Sequence, residues 1–119
     1  MAEMTVRQVL LRLDQQTPND CPREEKLRWL TQAEDMVRRE ILNAEPLEGS
    51  LTMEQSLTAP IPYQDLYQRY AEAQLFYQRG ELDRYNAAAA SWNGIFKAYK
   101  DYVNRKGLGV RTVNKLKLC

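Results

Sequence analysis

The residue types that carry most protein chemistry are thinly represented in this chain of 119 residues, and one of them, His, is absent. Without imidazole there is no Ser-His or Cys-His nucleophile pair, no helical H-E-x-x-H zinc site and no Glu-x-x-His di-iron bundle. Carboxylates, phenols, amines and two thiols remain. Glu24-Glu25, Glu34-Asp35 and Glu81 with Asp83 are paired carboxylates of the kind glycosidases use, but acid-base work needs a pocket that drives two pKa values apart. On amphipathic helices such pairs serve as solvated faces or first-turn charges, which is how they are read here. Cys21 and Cys119 have neither Cys-x-x-Cys spacing nor the density of a disulfide scaffold, so they read as free thiols of a cytoplasmic chain. Gly107-Leu108-Gly109 lacks the third glycine and preceding strand of a phosphate-cradling loop and reads as a helix stop. No catalytic, cofactor-binding or metal-ligating residue is assigned on these patterns, and neither enzymatic activity nor a cofactor is expected.

The elements that would position any site are helical. Thr5-Val6-Arg7-Gln8 has the pattern of a capping box, followed by an apolar stripe of Val6, Val9, Leu10 and Leu13. Thr17-Pro18-Asn19-Asp20 supplies a turn. After Pro22, first-turn carboxylates Glu24 and Glu25 and a stripe of Leu27, Leu30, Val37, Ile41 and Ala44 predict a second, longer helix up to Glu45. Residues 46–62 hold three of the five prolines and no helical stripe, and read as a long linker able to pair as extended chain. Pro60-Ile61-Pro62 then opens a third helix with Leu66, Tyr70, Ala73 and Tyr77 on one face, stopped at Gly80. A fourth begins around Glu81 to Asp83 and runs through Tyr85, Ala89, Trp92, Phe96, Tyr99 and Val103 to Gly107. So short a connection folds the last two helices into an antiparallel hairpin.

Ten of the eleven aromatic residues lie between Tyr63 and Tyr102, which marks that hairpin as the centre of the domain. The aromatic stripe coincides with core spacing and reads as packing rather than as a base-stacking platform. Trp29, Tyr63 and Tyr67 lie off or at the edge of their stripes and are candidates for a protein interface. The expected fold is therefore all-α: a small bundle of about four helices with a long antiparallel hairpin core, a long loop before it and an extended C-terminal arm. Residues 1–107 form the helical domain and 108–119 the arm.

Charge is unevenly placed. The chain has a formal net charge of +1, yet from Arg105 onward Arg105, Lys106, Arg111, Lys115 and Lys117 stand with no acidic side chain, so the part before them is net negative. Such an arm suits a solvated terminus, a contact with DNA phosphates or a dock on a neighbouring subunit. The opening residues show no secretory signal pattern, and no stretch approaches the ~20 apolar residues of a membrane span.

A resemblance adds to this reading. Pro60-Ile61-Pro62-Tyr63-Gln64-Asp65-Leu66-Tyr67, then Tyr70, Ala73 and Tyr77, then Gly80-Glu81 with Arg84-Tyr85-Asn86, then Trp92-Asn93 and Tyr102-Val103-Asn104-Arg105 are similar to the head-tail connector (adaptor) family of tailed phages and prophages. Thr5-Val6-Arg7-Gln8-Val9-Leu10 and Glu25-Lys26-Leu27-Arg28-Trp29-Leu30 agree with it, so the likeness covers most of the chain. It implies a virion structural protein that forms a ring of identical subunits under the portal, joins it to the neck or tail, and surrounds the channel through which DNA passes. The implied location is the head-tail junction of the virion, with the bacterial cytoplasm as the place of assembly. Two departures stand out: Asn86-Ala87 replaces a frequent Asn pair, and the family usually ends soon after the Asn-Arg. The arm inherits nothing from the resemblance.

On the ring reading, the loop and the arm are the segments expected to hold neighbours, through Leu47, Leu51, Met53 and Leu57 and through Val110, Val113 and Leu116. Arg105, Lys106, Arg111, Lys115 and Lys117 are the expected arm or DNA-channel charges. The alternative is a cytoplasmic helical interaction module without catalytic activity, since Ala73, Tyr77, Gly80 and Tyr85 also resemble part of one tetratricopeptide hairpin. A lone hairpin falls short of the three or so repeats a solenoid needs. A basic-armed DNA-binding protein is the second rival, and no helix is basic enough for one.

Overall fold

The computed structural model describes residues 4–45 and 49–108 of the chain. Four helices follow in order: α1 Val6–Gln16, α2 Arg23–Met36, α3 Asp65–Arg79 and α4 Leu82–Val103. No strand is present among the described residues; Thr5 and Ser56 form one isolated antiparallel bridge. The all-α bundle read from the sequence is the fold observed.

Helix α1 begins as its sequence dictates. The Thr5 hydroxyl accepts from the Gln8 backbone N–H, and the Gln8 side chain accepts from the Thr5 N–H at 2.9 Å, a complete capping box. Val6, Val9, Leu10 and Leu13 are buried. The turn to α2 is held by Asn19, whose amide donates to Asp14 and to the Thr17 carbonyl while its oxygen accepts from the Cys21 N–H. The nearly buried Lys26 ammonium reaches Asp14 at 2.9 Å and so fastens α2 to α1.

Helix α2 does not continue regularly to Glu45. It passes into a π-helical turn over Val37–Ile41, which keeps Val37 and Ile41 in the core, and stops at Asn43, whose φ of 56° reverses the chain. Ala44 is exposed. The segment 49–64 then returns across the bundle as a strap. It pairs with the start of α1, where the Val6 N–H donates to the Gln55 carbonyl and the Leu57 N–H to the Met4 carbonyl. Extended pairing, expected for this loop, is thus seen at its tip.

Helix α3 ends at Gly80, whose φ of 75° is the left-handed conformation glycine adopts without a Cβ penalty. Leu82 opens α4 two residues later, and the two helices form the antiparallel hairpin. At 22 residues, α4 is about 33 Å long. Among the helical elements it packs on α3 and, near its C-terminal end, on the π turn after α2. A second π-helical turn, Asn104–Leu108, prolongs it, so the chain does not leave the helix at Gly107.

Candidate interaction site

Where the loop meets the bundle, a charged residue lies inside it. Glu34, wholly buried on α2, accepts from the Thr58 N–H at 3.3 Å, from the Thr58 hydroxyl, from the Tyr67 hydroxyl at 2.6 Å and from Arg38 Nε at 3.2 Å. The Tyr67 oxygen in turn accepts from the Ala59 N–H at 3.0 Å. One carboxylate therefore ties α2, α3 and the strap together, and the bonds replace the water it has lost. Burial first, then the neighbouring Glu34 charge, pushes the Tyr67 phenol well above its ordinary range, which keeps it protonated and donating. No buried side-chain polar atom among the described residues lacks a partner.

The strap is packed as well as hydrogen-bonded. Leu51, Leu57 and Ala59 are buried in the main apolar cluster, Met53 lies half-buried against it, and the Thr31 hydroxyl accepts from the Leu51 N–H at 3.2 Å. Of the expected contact residues, Leu51 and Leu57 thus face the chain's own core. Leu47, Val110, Val113 and Leu116 fall outside the described residues, as do Arg111, Lys115 and Lys117. Arg105 and Lys106 are exposed in the last turn without an ion pair among the described residues, and the Lys106 ammonium sits 5.8 Å from the centre of the Tyr102 ring. Trp29 and Tyr67, expected at an interface, are core residues at 3% and 0% exposure.

The carboxylate pairs are dispersed among ordinary partners: Glu25 meets Arg28, Glu34 is the hub just described, and Glu81 meets Arg79 and Arg84. Among the described residues no group of three His, Cys, Asp or Glu side chains could hold a metal ion. Burial and then Glu25 raise the Cys21 thiol, which disfavours the reactive thiolate.

The hairpin is organised differently. Tyr63 stacks on Tyr99 at 5.2 Å and touches Tyr102 at 5.5 Å, Tyr70 meets Trp92 edge-on at 5.0 Å, and Tyr77 meets Tyr85 at 5.4 Å. Positions 63, 70 and 77 climb in steps of two helical turns while 102, 92 and 85 descend opposite them, so the rings form three rungs on one side of the hairpin. The lowest rung is part of the core. The highest is not: Tyr77 is 63% and Leu82 58% exposed.

On the other side of the same helix pair lies an open groove of 320 Å³ between Arg69, Phe76, Arg84, Ala87, Ala88 and Ser91. Arg84 lies over the Phe76 ring at 5.8 Å and pairs with Glu81, and Arg69 pairs with Glu72 at 2.7 Å. Ala73 and Ala88, both buried, mark the line where the helices touch, with the rungs to one side and the groove to the other.

The class these features define is a small all-α scaffold with a hydrogen-bonded strap at one end and an aromatic hairpin at the other. No protein-family model, no curated protein and no solved structure matches the chain.

Proposed function

We propose that the chain is a structural subunit of a tailed phage or prophage, a head-tail connector whose copies form a ring that joins the portal to the neck or tail. The observation that carries this reading is the placement of the residues behind the family resemblance. Tyr63, Tyr70, Tyr77, Tyr85, Trp92 and Tyr102 are spread over forty residues, yet every one of them belongs to a rung. In the second half of the chain the aromatic residues behind the resemblance, Tyr67 apart, therefore form one spatial unit.

The chemistry is compatible with a scaffold role. Surfaces that hold neighbours need exposed apolar and aromatic groups, and Tyr77 and Leu82 supply them at the end of the hairpin. Arg105 and Lys106, exposed after α4, are the described part of a basic arm that suits non-specific contact with packaged DNA. Such a contact lets DNA slide and weakens with salt, whereas sequence-specific binding that persists in high salt contradicts it. In the virion the protein would sit at the head-tail junction; no described helix is long and apolar enough to cross a membrane.

The test is size exclusion with light scattering on the chain alone and mixed with a candidate portal protein. A closed ring, or co-elution with the portal, is the expected result. A single chain that ignores the portal overturns the connector reading and leaves a helical interaction module.

A further inference from the structure

The two sides of the hairpin are unlike, and they are unlike in a complementary way. One side is a ridge of rings that ends in Tyr77, Tyr85 and the exposed Leu82. The opposite side is a groove with Ala87, Ala88 and Ser91 on its α4 wall and 320 Å³ open. It is edged by the guanidinium groups of Arg69, paired with Glu72 in the same lining, and of Arg84, paired with Glu81. That volume is at the lower end of pockets that enclose a small ligand, which is room for one or two aromatic rings. Guanidinium groups favour the faces of aromatic rings, as Arg84 already does with Phe76.

The ridge and groove also stand at the same height. Tyr77 adjoins Phe76 and Tyr85 adjoins Arg84 in sequence, and on a helix neighbouring residues differ by about 1.5 Å in height but about 100° in direction. A second copy displaced sideways, with no shift along the hairpin, therefore brings its ridge level with this groove. That is the relation between neighbours turned about an axis parallel to the hairpin, and a contact between two different surfaces repeats until it closes. Charge does not oppose it: residues 65–103 carry five basic and five acidic side chains. With α3 about 22 Å and α4 about 33 Å long and each about 10 Å wide, such a face offers at most about 550 Å² per copy. That is below the roughly 800 Å² of a standard specific interface, so each contact is weak and a ring gains by repeating it.

We infer that the Tyr77, Leu82 and Tyr85 ridge of one copy docks into the groove of Arg69, Phe76, Arg84, Ala87 and Ser91 on the next copy, and that this is the contact between subunits. The inference rests on the ring in the connector reading and names the surfaces that build it.

The experiment is sedimentation velocity on the full chain over a concentration series, with Tyr77→Glu and Leu82→Glu as ridge variants and Ala87→Trp as a groove variant. All three positions are exposed, so far-UV circular dichroism is expected to match the unaltered chain. The unaltered chain associates as its concentration rises, and each variant raises the required concentration by at least about ten-fold. Tyr77→Glu mixed with Ala87→Trp gives a complex of two chains and nothing larger, because one intact ridge and one intact groove remain in the mixture. Association of the variants at the unaltered concentration, failure of the mixture to pair, or a single unaltered chain at about 1 mM overturns the inference. Rings that survive all three substitutions refute these surfaces while leaving the connector reading intact, and that reading is decided separately by the portal mixture.

Discussion

Along its first half, α3 is enclosed: Leu66, Tyr67, Gln68 and Ala71 are buried, with α1, α2 and the strap around them. Beyond Phe76 the same helix still meets the α1–α2 turn, where the Arg79 guanidinium donates to the Pro18 carbonyl, but its ring-bearing side faces water and Tyr77 is 63% exposed. Both halves are rich in aromatic and small residues, so composition does not separate them. What separates them is coverage. The α1–α2 turn reaches the end of α3 at Arg79, but it leaves the side that carries Tyr77 open. In the enclosed half a phenol is bound on all sides and its hydroxyl closes a hydrogen-bond network; in the open half the same side chain is left as contact surface.

Substitutions should expose this difference as a graded series. Glu34→Ala, at the centre of the enclosed half, leaves the Tyr67 hydroxyl, the Thr58 N–H and Arg38 without their acceptor, and the expected loss is about 3 to 5 kcal/mol by urea denaturation. A loss below about 1 kcal/mol would mean that the strap is not held by the carboxylate. Tyr67→Phe keeps the ring and removes one donor and one acceptor, with an expected cost of about 1 to 2 kcal/mol in the same assay. At the hairpin turn, Gly80→Ala puts a Cβ on a residue at φ 75°; nothing crowds the site, so the cost is the backbone term alone, about 1 kcal/mol in thermal melts. At the open end, Leu82→Ala is expected to move stability by less than about 0.5 kcal/mol. A larger change at Leu82 than at Gly80 would erase the distinction.

Titration sharpens the same contrast. Tyr67 and Tyr99 have phenols raised first by burial and then by the Glu34 charge, and Tyr70 by burial. Above about pH 10, the ordinary phenol value, the unfolded chain has lost protons that the folded chain still holds. Stability contributed by these groups is therefore complete below that pH and falls as pH climbs toward the folded values. Denaturation midpoints between pH 9 and about 11 should show the fall, and Tyr67→Phe should reduce its slope.

How much of this was legible in the sequence depends on whether a residue's role is local. The Thr5 and Gln8 cap, the α1 stripe, the Gly80 stop and the antiparallel hairpin are all set by neighbours within a few positions, and each could be read directly. Glu34 could not, because a carboxylate beside Asp35 looks solvated; its one signal is spacing, four residues after Leu30 and three before Val37, on the buried stripe itself. Leu51 and Leu57 lack a helical period, and only the tertiary return of the strap shows that they complete the core. Tyr77 fails in the opposite sense. Its spacing is that of a core position, but no element of the described chain covers that side of the hairpin at its height. The π turn after α2 likewise left no mark in the apolar pattern.

The hairpin can finally be viewed as a beam held firmly at one end and lightly at the other. Its root is where Tyr99 and Val103 are buried beneath Tyr63, and its far end, at the Gly80 turn, is tethered by the Arg79 guanidinium to the Pro18 carbonyl. Over a length of about 33 Å, a tilt of about 5° at the root carries the tip about 3 Å sideways, roughly the depth of a ring entering a groove. Mechanical leverage of this kind lets a slight repacking around Tyr63 decide whether the far end engages anything at all.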